Sequence, residues 1–352
     1  PTRRVVNVRR NQSTRGSGFL YTDDDRQSLQ YIPDDVVRTW RERGYLVVFA
    51  VLSPDNSVRR RRRYLQRLTC WRYEGVARRA NNFTGSLLPT FVLARHPDHG
   101  YQHSPQLKEE GTLWQDIIAL PINEGRVSTN KRVGQDGRYW GLDAEIGMSR
   151  KMYRWYELVL RLFPRVNYFA KCDDDMFLHT PQYLTDLRIL PRRRLYWGNI
   201  VPARFMPLLF ATGGLYTISR ELAAVFVSYE PVKRLIDVPY SKEREEEFTS
   251  LYMQHEDLLM GRVLHDIKFK PLFVAEPLCR FHNLHGSGWV GPLTESSLLI
   301  HNVKEAEYAT LRDFFATKSH SKPTRFKSLK GKLYGTCRRR RSWGLMASAS
   351  GA

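Results

Sequence analysis

The sequence predicts an α/β fold on a largely parallel sheet, and three observations carry that expectation. Tyr45 to Leu52 is an unbroken apolar run closed by Ser53-Pro54-Asp55-Asn56, the pattern of a strand buried on both faces. Strand-like runs then alternate with segments of helical periodicity, as in successive βαβ units. Finally, Asp173, Asp174 and Asp175 follow the strand-like stretch that begins at Tyr168. Ligands of open α/β sheets bind at the carboxyl ends of such strands.

The elements follow in order. After the first strand, the Arg59 to Arg63 run leads into a helix over Tyr64 to Trp71, and Arg59 to Arg62 are expected on a solvated face. Strands are expected at Thr90 to Ala94 and Gln115 to Leu120, with Pro121 to Ile146 as a polar surface loop. Met152, Trp155, Tyr156, Leu158, Val159 and Leu162 recur at helical spacing, and Pro164 stops that helix. The acidic strand covers Asn167 to Cys172. A helix at Pro181 to Leu190 and strands at Leu195 to Ile200 and Leu215 to Ile218 come next. Ser219 suits the N-cap of a helix over Arg220 to Ser228, with Glu221 near its positive end. A last helix starts near Glu256, burying Leu259, Val263 and Ile267, before a strand from Lys268 to Ala275.

Composition narrows the class. A chain of 352 residues, 42% hydrophobic and 12% aromatic, is long and apolar enough for a real core. Its net charge of +20 suggests a nucleic-acid or membrane partner until the charges are located. Five Arg within residues 1–16 and ten Lys or Arg within 318–352, with no acid in either stretch, supply fifteen of the twenty. Basic tails bind polyanions weakly and without specificity, so no specific nucleic acid is expected. No apolar stretch approaches the roughly 20 residues that span a bilayer. The chain begins at Pro1, so a first segment such as a signal anchor is expected to be missing from it. Cys70, Cys172, Cys279 and Cys337 lack CxxC spacing, which argues against a zinc ribbon or thioredoxin-type site and leaves disulfide pairing open. The sequons Asn11-Gln12-Ser13 and Asn82-Phe83-Thr84 fit a secretory-pathway protein. No GxxxxGK[ST] occurs, which removes the main support for a P-loop reading.

Three adjacent carboxylates need a counter-charge, and hard oxygen ligands at a strand tip suit Mg²⁺ or Mn²⁺ with a substrate phosphate completing the shell. A solvated acidic turn is the alternative for such a triplet taken alone. Its context is four blocks in order: Arg63-x-x-x-Arg67-x-Thr69-Cys70-Trp71, Lys171-x-Asp173-Asp174-Asp175, Gly213-Gly214-Leu215-Tyr216-Thr217-Ile218-Ser219 and Glu256-Asp257-Leu258-Leu259-Met260-Gly261. Together they resemble the β1,3-galactosyltransferase and β1,3-N-acetylglucosaminyltransferase family, family 31 in the usual glycosyltransferase numbering. Cys70 before Trp71, with Val76 to Gly85 behind it, resembles the kinetoplastid branch.

The resemblance covers about residues 45–315. It implies a GT-A fold with a Rossmann-like sheet, a UDP-galactose or UDP-N-acetylglucosamine donor, a glycan acceptor, Mn²⁺ and an inverting β transfer to position 3. It also implies a type II Golgi membrane protein with a lumenal catalytic domain. Residues 1–40 are then a partly disordered flank, 41–317 the catalytic domain and 318–352 a disordered basic tail.

Within the resemblance the triplet is the DxD element, with Asp175 on the metal, Asp173 near the donor ribose and sugar, and Asp174 holding the turn on the donor side. His301 resembles the third metal ligand, and His282 and His285 are its rivals. Asp257 matches the catalytic base, and the first helical turn would favour its ionised form. Arg63, Arg67 and Lys171 are expected on the uracil or diphosphate, since guanidinium groups suit phosphate oxygens. Gly213, Gly214, Glu256 and Trp197 are expected around the sugar and acceptor, with a core position the alternative for Trp197. A metal-dependent phosphoryl-transfer enzyme acting on nucleic acid would also use clustered Asp, and a catalytically impaired remnant of the family is a third reading.

Overall fold

In the computed structural model, residues 21–130, 140–286, 290–316 and 322–337 are described. Two helices, α1 (Asp23–Ser28) and α2 (Asp34–Glu42), precede β1 (Val47–Leu52). The chain continues through α3 (Ser57–Leu68), β2 (Leu87–Arg95), α4 (Pro105–Trp114), β3 (Ile117–Asn123) and α5 (Leu142–Leu162). Next come β4 (Tyr168–Asp173), the short β5 (Phe177–Leu178), α6 (Thr180–Ile189), and β6 (Leu195–Pro202) with β7 (Leu209–Ser219). Helices α7 (Arg220–Val227), α8 (Glu230–Lys233), α9 (Glu245–Thr249) and α10 (Glu256–Asp266) lead to β8 (Leu272–Ala275), β9 (Phe281–Asn283) and β10 (Leu299–His301). Helix α11 (Glu307–Ala316) and a hairpin of β11 (Phe326–Leu329) and β12 (Lys332–Gly335) complete the described chain.

Nine strands form one sheet in the order β11-β12-β8-β6-β7-β4-β1-β2-β3, and β5-β10-β9 form a small second sheet. Strand β1 pairs in parallel with both β4 and β2, β2 with β3, and β6 with β8, while β7 runs antiparallel between β4 and β6. The expected α/β architecture, a mostly parallel sheet with flanking helices, is therefore found.

Strand alternation explains why β1 is apolar at every position. Val48, Ala50 and Leu52 enter one core layer with Trp155 and Tyr156 of α5, whereas Val47, Phe49 and Val51 enter the opposite layer with Trp71 and Tyr183. Local signals set the helix ends. Asn56 accepts from the Arg59 amide at the start of α3, Ser219 does the same for Leu222 in α7, and α5 ends just before Phe163-Pro164.

Three expectations are revised. The 121–146 surface loop is shortened by β3 and α5, and its described residues Glu124, Gly125 and Val127 line a cavity. The disordered tail fails over 322–337, where β12 adds in parallel to β8 and Cys337 is disulfide-bonded to Cys279. Lys-rich composition hid that hairpin, which is held by an edge strand, the disulfide and the hydrogen bond from the Thr324 amide to Asp186 (2.7 Å), none visible locally. In the N-terminal flank, α2 is ordered by burying Val36, Val37 and Trp40 against the core. Residues 1–20, 317–321 and 338–352, and with them the Asn11 sequon, lie outside the described residues. No helix among the described residues is long and apolar enough to cross a membrane.

Candidate functional site

A cavity of about 780 Å³ opens at the carboxyl ends of β1, β2, β3 and β4. Into it β4 delivers Asp173, with Asp174 and Asp175 just beyond the strand. Backbone contacts from three elements hold that turn. Gln66 of α3 donates to the Asp174 carbonyl (3.1 Å), the Val303 amide after β10 donates to the Asp175 carbonyl (2.8 Å), and Tyr308 of α11 donates to the Met176 carbonyl (3.2 Å).

The three carboxylates have different partners. His301, the last residue of β10, places Nε2 3.0 Å from Asp175 and 3.4 Å from Asp173. Ligand atoms of Asp173, Asp175 and His301 all lie within 4.8 Å of one another. Asp174 points elsewhere: Ser53 Oγ donates to it (2.8 Å), Arg59 pairs with it and Arg62 lies 3.5 Å away. It is 4% exposed, a buried carboxylate that neutralises two guanidinium groups and ties the turn to α3.

Two carboxylates and one imidazole form a donor set that fits Mn²⁺ or Mg²⁺. The imidazole is oriented for this, because its Nδ1 donates to Asn283 Oδ1 (2.9 Å) and so leaves Nε2 toward the carboxylates. Burial opposes charge on the imidazole, but Asp175 and Asp173 outweigh that and raise His301 to about 10. Burial likewise pushes against ionised Asp173, where Lys171 and His301 prevail and hold it well below the usual carboxylate range.

Lys171, fully buried on the same strand face as Asp173, donates to Asp173 (2.9 Å), to the Gly213 carbonyl (2.9 Å) and to Glu256. One ammonium thus serves two carboxylates. Asp173 retains its charge, and burial, with Asp257 and Asp173 adding repulsion, pushes Glu256 up to about 8 against the pull of Lys171. Asp257, beside it in the first turn of α10, accepts from the Leu258 amide (2.8 Å) and lines the cavity. Burial raises its carboxyl above the ordinary value, and neither Lys171 nor that amide cancels the rise.

Gly213 and Gly214 of β7 also line the cavity. A Cβ on Gly213 would lie 2.9 Å from Glu256 Oε1, so the bare backbone is what lets Lys171 and Glu256 meet there. A Cβ on Gly214 would make ordinary contact with His301.

Four expected site residues do not line the cavity: Lys171, whose buried ammonium is engaged by Asp173, Glu256 and the Gly213 carbonyl rather than open to a diphosphate, and Arg63, Arg67 and Trp197, which sit elsewhere. On α3, Arg59, Arg62 and Gln66 share the face toward the triplet, whereas Arg63 and Arg67, spaced i,i+4, face α4. Arg63 binds Glu110 through Nε (2.9 Å) and Nη2 (2.7 Å), and Arg67 bridges Glu110 (2.7 Å) and Asp116 (2.8 and 2.7 Å). Both are buried in a charge network that locks α3 to α4 and do not line the cavity. Removing one member of a buried network leaves an uncompensated charge, so Glu110→Ala is expected to lower stability by about 3–5 kcal/mol, measured by urea unfolding. Trp197 is a core residue, stacked on Tyr183 at 5.0 Å with Nε1 donating to Glu276 (2.7 Å). Of the rival histidines, His282 bonds Ser297 Oγ (2.8 Å) and His285 pairs with Glu307.

Conversely, Arg59 lines the cavity although it was expected on a solvated face. The far wall carries His96, Glu124 and Trp140, with Lys151 buried and paired to Glu124. The Asn56 cap and the 59-62-66 spacing mark one side of α3 in the sequence, but only packing says which side meets the triplet.

No protein-family model matches the chain. Over 242 residues, 62% of this chain, it is 23% identical to lactosylceramide 1,3-N-acetyl-beta-D-glucosaminyltransferase B of Xenopus laevis. The match covers 55% of that protein, so the chain spans about half the length of the curated relative. A solved structure, a glycosyltransferase involved in the glycosylation of the major capsid of PBCV-1, aligns over 76% of this chain and 99% of its own at 12% identity and a TM-score of 0.32. In sequence, the chain is similar to a glycosyltransferase.

Proposed function

We propose that the chain is an inverting glycosyltransferase of GT-A type, related to the β1,3-galactosyl- and β1,3-N-acetylglucosaminyltransferases, that uses Mn²⁺ and a UDP-sugar. Galactose or N-acetylglucosamine moves to a glycan hydroxyl in β linkage, at position 3. The observation that carries this reading is one cavity lined by the Asp173, Asp175 and His301 donor set and by Asp257 at a helix start. The sequence similarity to a β1,3-N-acetylglucosaminyltransferase supports it.

Asp175, Asp173 and His301 would hold the ion, which when bound would supply charge neutralisation for the UDP diphosphate. Arg59, although its charge is paired with Asp174, lines the same wall, and its remaining N–H groups are the donors offered to the diphosphate in place of Arg63 and Arg67. Lys171 positions Asp173, Glu256 and the Gly213 backbone by donating to all three. Asp257 takes the acceptor hydroxyl proton as that oxygen bonds to the anomeric carbon; the bond from this carbon to the diphosphate oxygen breaks with inversion, and UDP leaves with the electron pair. Its raised pKa makes it a stronger base than an exposed Asp, and the carboxylate must be ionised to act. Transfer should therefore fall as pH drops, with the loss beginning at a higher pH than an ordinary Asp would give.

A screen of labelled UDP-sugars against glycan acceptors, read by mass spectrometry, tests the proposal. Transfer of one hexose or N-acetylhexosamine with Mn²⁺, stopped by EDTA and restored by added Mn²⁺, is the expected result. Transfer that is indifferent to EDTA would remove the metal from the mechanism, and no transfer from any UDP-sugar would overturn the reading.

A further inference from the structure

We propose that Asn82 carries an N-linked oligosaccharide, attached before the chain folds and in the same oxidising lumen where Cys279 pairs with Cys337. The proposal does not depend on what this chain itself transfers.

The sequon Asn82-Phe83-Thr84 occupies a turn between α3 and β2 in which Asn82 and Thr84 are exposed while Phe83 between them is buried at 2% exposure. The Phe83 ring packs edge-on against Trp40 with centroids 5.7 Å apart. Its amide donates to the Arg78 carbonyl (2.8 Å), and its carbonyl accepts from Tyr45 Oη (3.0 Å). Asn82 and Phe83 both have positive φ, 50° and 51°. Asn enters that region readily and Phe does not, so the buried ring is what holds the turn. The two side chains a sequon needs thus project into solvent on either side of a pinned residue, and a bulky glycan on Asn82 displaces nothing.

Position and compartment support the assignment independently. Asn82 precedes Leu87, the first residue of β2, whose other end leads to His96 on the cavity wall. Nine residues of strand put about 30 Å between those ends, so a glycan here leaves the cavity open. The disulfide joins cysteines 58 residues apart, and such bonds persist in oxidising compartments, where N-glycosylation also occurs.

In the transfer step, Asn82 Nδ2 bonds to C1 of the first sugar of a polyprenyl-diphosphate-linked oligosaccharide. The bond from C1 to the phosphate oxygen breaks, its electron pair leaves with the lipid diphosphate, and one Nδ2 proton passes to the oligosaccharyltransferase. That enzyme must reach the Asn and Thr side chains together, which burial of Phe83 prevents once the domain has folded.

The test uses the full chain isolated from cells that make it. Tryptic peptide 80–95 should carry the glycan, and peptide-N-glycosidase should release it and leave Asp at position 82. Asn82→Gln and Thr84→Ala should each abolish the modification, while Thr84→Ser should keep it; these positions are exposed, so the variants should fold. In vitro, an oligosaccharyltransferase should modify the denatured chain and not the folded one. Recovery of peptide 80–95 chiefly with unmodified Asn82, or equal modification of folded and denatured chain, would overturn the proposal.

Discussion

Asp257→Asn is expected to lower the rate of sugar transfer by about 10²–10⁴-fold, the usual contribution of a general base, while UDP binding stays within about twofold of the parent. The separation follows from placement. Asp257 stands at the start of α10 and is outside the Asp173, Asp175 and His301 donor set, so an amide there removes proton uptake without removing a metal ligand. The Asn side chain can still accept from the Leu258 amide that Asp257 now meets at 2.8 Å, which preserves the helix start. Calorimetric UDP binding and initial transfer rates on the same preparation decide the matter. Transfer at the parental rate would exclude Asp257 as the base and point to Glu256, the other carboxylate of that turn. Residual activity in the variant should also lose the pH dependence assigned to this group.

Asp175→Asn is expected to remove metal-dependent UDP binding and, with it, all measurable transfer. Asp175 is 6% exposed and the closer of the two carboxylates to His301 Nε2, so its loss breaks the donor set and leaves the imidazole facing Asp173 alone. A graded control comes from the residue behind the ligand. Asn283→Ala frees His301 Nδ1 and should weaken Mn²⁺ binding about 10–100-fold without abolishing it. Titration of Mn²⁺ by electron paramagnetic resonance reads both variants, and circular dichroism checks that they fold. Unchanged Mn²⁺ affinity in Asp175→Asn would place the ion elsewhere.

Several parts of this site are legible in the chain. The apolar run at Tyr45 to Leu52 needs helices on both faces, which requires an α/β layer structure, and a carboxylate cluster ending a later buried strand has to lie at the ligand-binding edge. Spacing also indicates that Glu256 and Asp257 begin a helix. The arginines of α3 show where such reasoning stops. Five consecutive Arg satisfy any rotation of the helix equally well, so the sequence cannot say that Arg59 and Arg62 turn to Asp174 while Arg63 turns to Glu110. Trp197 is a similar case, since a strand residue at the sheet's carboxyl side can face either layer, and the Glu276 carboxylate that receives its Nε1 lies 79 residues away.

The sequence by itself determined the layer architecture, the strand that presents the acidic triplet and the helix that presents Asp257, because periodicity and capping act over a few residues and need no distant partner. Tertiary structure alone decided which two of the three aspartates face His301, which arginines serve the cavity and which lock α3 to α4, and that residues 322–337 add to the sheet. Each of those outcomes depends on a charge, an edge or a thiol brought together from far along the chain. Burial then sets how strongly the grouped charges shift one another, as it does for His301 and Asp257.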